Sequence, residues 1–261
     1  MKTFNYHSAK DSKEATKLSS SNSVFLAGGM TTIPSMKLGL ATYKDVIDIK
    51  NIKKLSEIKT SAKSVTIGAT ARHVEVASSK EIKKAIPSLS SLAEGIGDPQ
   101  VRNRGTIGGS IANNDPSADY PSACIALNAV IHTSERKIEA AKFFKGMFET
   151  VLKKGELIEA VEFKIPEKSS YQKHPNPASR YAVVGVYVAK HKEGVNVAVT
   201  GAKPCVYNEK NLAKALESSF SSNSISSMEV NDSDMNSDIH ASAEYRASLV
   251  VTQAKKAVEA C

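Results

Sequence analysis

Between Gly95 and Pro121 the chain reads GIGDPQVRNRGTIGGSIANNDPSADYP, which concentrates the residue types that handle a phosphorylated ligand. Gly105, Gly108 and Gly109 open backbone conformations closed to other residues and let a ligand approach the main chain. Thr106 and Ser110 stand among them as hydroxyl donors, and Asp115 and Asp119 follow as carboxylate acceptors. Bare amides suit phosphate oxygens and a carboxylate suits ribose hydroxyls. The segment therefore reads as a loop lining a nucleotide-cofactor site, not as a plain helix or strand.

A second motif lies upstream, VFLAGGMTTIPSMK from Val24 to Lys37. Its apolar run ends at Gly28-Gly29, and Met30, Thr31 and Thr32 follow. That order gives a strand, a glycine turn and a hydroxyl-bearing segment, a second phosphate cradle. Neither motif is G-x-G-x-x-G or the Gly-Lys-Ser/Thr pattern of a P-loop, and Gly-Gly after a short strand also makes an ordinary tight turn.

Other chemistries find little support. There is no G-x-S-x-G elbow, no Cys-His pair with a local signature and no carboxylate dyad, so no catalytic side chain is assigned. Cys124, Cys205 and Cys261 lie far apart with no C-x-x-C, which excludes an iron–sulfur cluster held by this chain alone. Cys124, in the apolar stretch Ala123 to Leu127, reads as a small core residue. His7, His73, His132, His174, His191 and His240 show no metal-ligand spacing, and each reads as a surface or structural residue.

The elements that must position the two motifs are short. Helical signals over 11–18 and 33–40 alternate with strand signals over 24–27 and 45–49, a compact α/β unit. A strand at 64–67 precedes a helix over 70–77 capped by Thr70. Helices at 81–86 and 88–94 are split by Pro87, and Pro121 can start a helix through Asn128. Strands follow at 129–133 and 157–165. The polar segment Lys168 to Pro177, with two prolines, reads as a boundary. Beyond it come strands at 181–190 and 195–202, a helix at 209–218 and a serine-rich acidic stretch, 219–237, that reads as a mobile loop. A long helix at 241–260 follows, with Tyr245, Leu249, Ala254 and Val258 near one face.

At 261 residues the chain buries roughly 70–75% of its unfolded surface. Its net charge of +8 comes from lysines interleaved with glutamates, which describes a solvated surface rather than a nucleic-acid face. No stretch approaches the ~20 apolar residues of a membrane helix, and the N-terminus lacks the apolar core of a signal peptide, so a cytoplasmic protein is expected.

The pair AGGMTTIPSMK (Ala27 to Lys37) and GDPQVRNRGTIGGSIANNDPSADYPSA (Gly97 to Ala123) resembles the FAD-binding medium subunit of molybdenum hydroxylases: carbon monoxide dehydrogenase, aldehyde dehydrogenases and the flavin domain of xanthine dehydrogenase. The resemblance runs nearly end to end, through GELIEAVEFKIP, PASRYAVVGV and ASAEYRASL. It implies an α+β fold: a two-subdomain, PCMH-type FAD-binding domain over 1–168 (subdomains about 1–56 and 57–168), then a small α+β domain over 169–261 with an antiparallel sheet and packed helices. It also implies that Leu26, Ala27, Gly28, Gly29, Met30, Thr31 and Thr32 wrap the FAD pyrophosphate from one side. Thr106, Ile107, Gly108, Gly109 and Ser110 would wrap it from the other.

By the same resemblance Asp119 accepts hydrogen bonds from the sugar or ribityl part, and Ile96 lies against the cofactor rings. Leu157 or Ile158 sits near the isoalloxazine, and Lys173 matches a lysine near the flavin. Met30-Thr31 departs from the Gln-Ser or Thr-Asp of many relatives, and Ile96 is aliphatic where some use an aromatic. No cysteine-rich insertion for an additional cluster is present. The implied function is electron transfer. Electrons would pass from a molybdenum cofactor on a large subunit, through 2Fe–2S clusters on a small subunit, to FAD on this chain and then to NAD, a quinone, oxygen or a carrier protein. A stand-alone flavin oxidoreductase, and a basic binding protein without cofactor, remain alternatives at this point.

Overall fold

The computed structural model describes residues 1–261. Of four β-sheets, three divide the work of burying apolar side chains, each with its own core; the fourth is the small ribbon Phe144–Gly146 with Glu149–Thr150. Asn5–Ser8, Asp45–Asp48 and Ser23–Leu26 form a parallel sheet with Asp45–Asp48 in the middle. Helices Ser12–Leu18 and Thr32–Lys37 follow its two outer strands, as parallel pairing requires. The small core under it gathers Ala15, Ile47, Ile52, Leu55 and Leu157.

The second sheet has five strands in the order Ile58–Thr60, Ser64–Gly68, Ile158–Lys164, Val130–Thr133, Lys137–Glu139, all antiparallel. Helices His73–Ser78, Pro87–Glu94, Ile107–Asn113 and Tyr120–Ala126 bring Val76, Leu89, Ile107 and Tyr120 to its core, which also takes in Ile67 and Phe163. Pro87 sits at the first turn of its helix, where its missing N–H costs nothing.

The third sheet runs Lys168–Pro175, Ala182–His191, Gly194–Thr200, Tyr207–Asn208. Its central strand is buried on both faces. Val184, Val186 and Val188 point to the core shared with helices Lys210–Ser218 and Ala243–Glu259, while Tyr187 and Ala189 join the core of the second sheet. The Tyr187 hydroxyl meets that of Ser88 at 2.6 Å, fastening the two units together.

The α+β class is observed, and most elements fall within a few residues of expectation. Several expectations are corrected. The segment from Lys168 is a strand through Pro175, paired residue by residue with Ala182–His191, because its prolines fall only at and beyond its end. Thr70 does not cap the next helix; that helix starts at His73, and the Glu75 carboxylate accepts the Arg72 amide at 2.7 Å. The stretch around Gly108 and Gly109 is a helix, Ile107–Asn113, with Asn114 in the left-handed conformation at its end. The serine-rich stretch carries a 3-10 turn, Ser222–Ile225, and buries Ile225 and Met235. Tyr245 is exposed, away from the buried face that holds Leu249, Ala254 and Val258.

Candidate functional site

A cavity of about 460 Å³ opens where the first sheet meets the helices of the second. That volume lies in the range of small-molecule and cofactor sites, ~300–1,000 Å³. Both glycine motifs line it, together with the loop before Ala182.

Strand Ser23–Leu26 delivers the first motif, and Gly29 turns the chain with a φ of 75°, a conformation that favours glycine. From Gly28 to Thr32 no main-chain amide has an acceptor within the protein, although the carbonyls of Gly29 and Thr31 accept from Ile33 and Ser35. Five consecutive bare N–H groups at a turn form a concave donor set suited to an anion. Gly28 is also where the two motifs touch. A Cβ there would lie 2.0 Å from the Arg104 carbonyl oxygen, so only glycine permits this crossing.

The second motif is arranged differently. The Ile107 amide donates to the Ala71 carbonyl at 3.1 Å, Gly108 to Ala69 at 2.9 Å and Ser110 to Thr106 at 3.0 Å. The Thr106 hydroxyl oxygen caps the helix by accepting from the Gly109 amide at 3.2 Å. These amides are thus occupied by the fold, not bare as expected. Gly108 serves close packing, since a Cβ would lie 2.5 Å from that of Ala69. Exposed to the cavity from this side are Thr106, Gly109 and Ser110.

Asp119, 5% exposed, forms the floor. Its carboxylate accepts from the Tyr171 hydroxyl and from the Lys173 ammonium at 3.0 Å. Burial pushes its pKa up, and the Lys173 charge and the Tyr171 hydroxyl oppose that. Lys173 also donates to the Gly95 carbonyl at 2.9 Å and to the Arg180 carbonyl at 3.0 Å. One ammonium therefore ties together the helix end before Ile96, the Asp119 floor and the loop bearing Tyr181. Arg180 holds a left-handed φ of 62° and donates back to the Gly97 carbonyl at 3.3 Å.

Of the expected site residues, Ala27 to Thr32, Ile96, Thr106, Gly109, Ser110 and Asp119 converge on the cavity. Ile107 and Gly108 lie behind its wall, and Leu26 ends the strand that leads to it. Leu157 belongs to the core under the first sheet and Ile158 to that of the second, and neither lines the cavity. Lys173 supports the wall from behind. Sequence reasoning passed over His73, Tyr43, Val101, Arg180 and Tyr181, all of which line it. The motif boundaries carried no signal for them, although Gly97 and Gly105 flank Val101 and pack against His73 and Val101.

Residues 2–167 match the family described as the FAD binding domain in molybdopterin dehydrogenase. The chain is 38% identical over 199 residues to the glyceraldehyde dehydrogenase medium chain of Sulfolobus acidocaldarius, covering 73% of this chain and 71% of that one. It is 30% identical over 278 residues to the carbon monoxide dehydrogenase medium chain of Hydrogenophaga pseudoflava, covering 98% and 96%. A solved structure of carbon monoxide dehydrogenase from Hydrogenophaga pseudoflava, a form lacking the Mo-pyranopterin moiety of its molybdenum cofactor, superposes with a TM-score of 0.88 at 29% identity, over 99% of this chain and 97% of that one.

Proposed function

The chain belongs to the family of FAD binding domains in molybdopterin dehydrogenase, as an FAD-binding medium subunit of the molybdenum-hydroxylase type, and from that membership we propose that it is an electron-transfer subunit. The run of bare amides from Gly28 to Thr32, facing a cavity of cofactor size, carries the reading. In it, those amides and the Thr32 hydroxyl take the pyrophosphate, with the Thr106 and Ser110 hydroxyls opposite. Asp119 accepts from sugar or ribityl hydroxyls, and Ile96 and Val101 present apolar surface to the rings and exclude water. Lys173 keeps three walls in register. The flavin supplies a redox centre able to exchange electrons one or two at a time.

The working assembly is a heterotrimer with a large molybdenum-cofactor subunit and a small 2Fe–2S subunit, which would deliver electrons to this chain for an external acceptor. The substrate oxidised by the large subunit would be an aldehyde, carbon monoxide or a heterocycle. The chain divides into 1–168, with subdomains about 1–56 and 57–168, and 169–261, the cavity lying between the first two and bordered by residues 179–181 of the third. A cytoplasmic location is part of this proposal; no helix is long and apolar enough to cross a membrane. Purification of the chain with its co-expressed neighbours tests this. Flavin absorbance with stoichiometric molybdenum and iron is the expected result. A colourless complex, or substrate oxidation by this chain alone, contradicts it.

A further inference from the structure

His73 is the first residue of its helix and only 4% exposed, yet it lines the cavity. Its ring packs on Tyr120, with centroids 5.4 Å apart. Its Nδ1 is buried without a partner, and Nε2 makes no hydrogen bond within the protein either. A polar ring enclosed this completely normally finds a partner, because leaving it bare costs ~1–3 kcal/mol. Gly105 packs close against this edge of the ring, where a Cβ would lie 2.5 Å from Nε2.

We propose that His73 is a cofactor-binding residue of this site: its Nε2, beside Gly105 in the cavity wall, hydrogen-bonds an uncharged polar group of the bound FAD, a hydroxyl or a ring nitrogen or carbonyl, rather than the pyrophosphate. The inference rests on the reading of the cavity as the FAD site. Burial and the nearby Arg102 charge lower the His73 pKa to about 4, so the ring is neutral and offers one donor and one acceptor. Hydroxyls and heterocycle edges match either role. Phosphate is better served by the bare amides of the first motif. Gly105 then has a use beyond chain geometry, since a side chain there would collide with the ring and displace Nε2 from the wall.

The test compares the wild-type chain with His73→Phe, which keeps the stack on Tyr120, and His73→Gln, which returns an amide near the Nε2 position. Each flavin-free protein is titrated with FAD and with ADP, and its thermal midpoint is recorded. His73→Phe is expected to weaken FAD binding about tenfold, the effect of one hydrogen bond of ~1.4 kcal/mol, without lowering the thermal midpoint. His73→Gln is expected to stay within about threefold of wild type by the same scale. A loss seen with FAD alone assigns the partner to the flavin half, and a loss shared with ADP assigns it to the adenosine half. Equal FAD affinity of wild type and His73→Phe overturns the proposal. So does a glutamine variant as weak as phenylalanine, which would reduce His73 to packing. Wild-type protein that fails to bind FAD would instead overturn the assignment of the cavity.

Discussion

Two glycine motifs face each other across the cavity, and they use glycine for opposite ends. From Gly28 to Thr32 the main chain leaves its amides bare, in residues that line the cavity. From Ile107 to Ser110 every amide is occupied by the fold, and Gly108 is small so that its helix can lie on Ala69. The first is a donor surface and the second a packing surface that presents two hydroxyls. Composition alone makes them look alike. What separates them is where each backbone finds its hydrogen bonds, which is a tertiary property.

The sharpest challenge to this contrast removes the support behind the second motif. Lys173→Met leaves Asp119 a buried charge without its counter-ion, and a loss of about 4 kcal/mol in unfolding free energy is expected by denaturant titration. Gly28→Ala attacks the crossing itself. Its Cβ would meet the Arg104 carbonyl, so a stability loss of about 3 kcal/mol should accompany loss of FAD binding. Gly108→Ala is the counterpart: about 2 kcal/mol of stability lost, with FAD affinity of the folded protein changed by less than about threefold. If Gly108→Ala abolished binding at unchanged stability, the two motifs would be equivalent donors after all.

A pH experiment probes the wall between them. His73 titrates near 6.5 when unfolded and about 4 when folded, so the folded state resists its protonation. Stability is therefore full above pH 6.5 and falls as the pH drops from there toward about 4. The expected loss is about 2 kcal/mol by pH 5, with Arg102 the cation facing the ring and Tyr120 the neutral group stacked on it. His73→Phe should flatten that limb of the unfolding curve. An unchanged slope would show that His73 is solvated and not part of the wall. The smallest effect belongs to Ser110→Ala, which removes a cavity hydroxyl that bonds nothing in the protein. FAD affinity should fall about threefold at unchanged stability.

Much of the first motif was readable because an apolar strand, a glycine pair and a hydroxyl-bearing helix start are local signals, and Thr31 and Thr32 stand at that helix start and line the cavity. Asp119 was readable as an acceptor, but its pairing with Lys173 and Tyr171 was not, since those partners come from a strand that looked like a linker. His73 sits in TARHVE, Thr70 to Glu75, which reads as the start of a helix with the histidine a surface or structural residue. Only the approach of Gly105 from a distant turn encloses it. Leu157 and Ile158 show the converse limit. Two apolar residues at the start of a strand look the same whether they face a ligand or a core, and here both are buried in cores.

Backbone amide exchange, read with and without FAD, addresses the central claim most directly. The amides of Gly28 to Thr32 should exchange fast in the flavin-free chain and become protected on binding, while those of Ile107 to Ser110 should be protected in both states. Unchanged exchange at Gly28 to Thr32 in the FAD-bound protein would contradict the account.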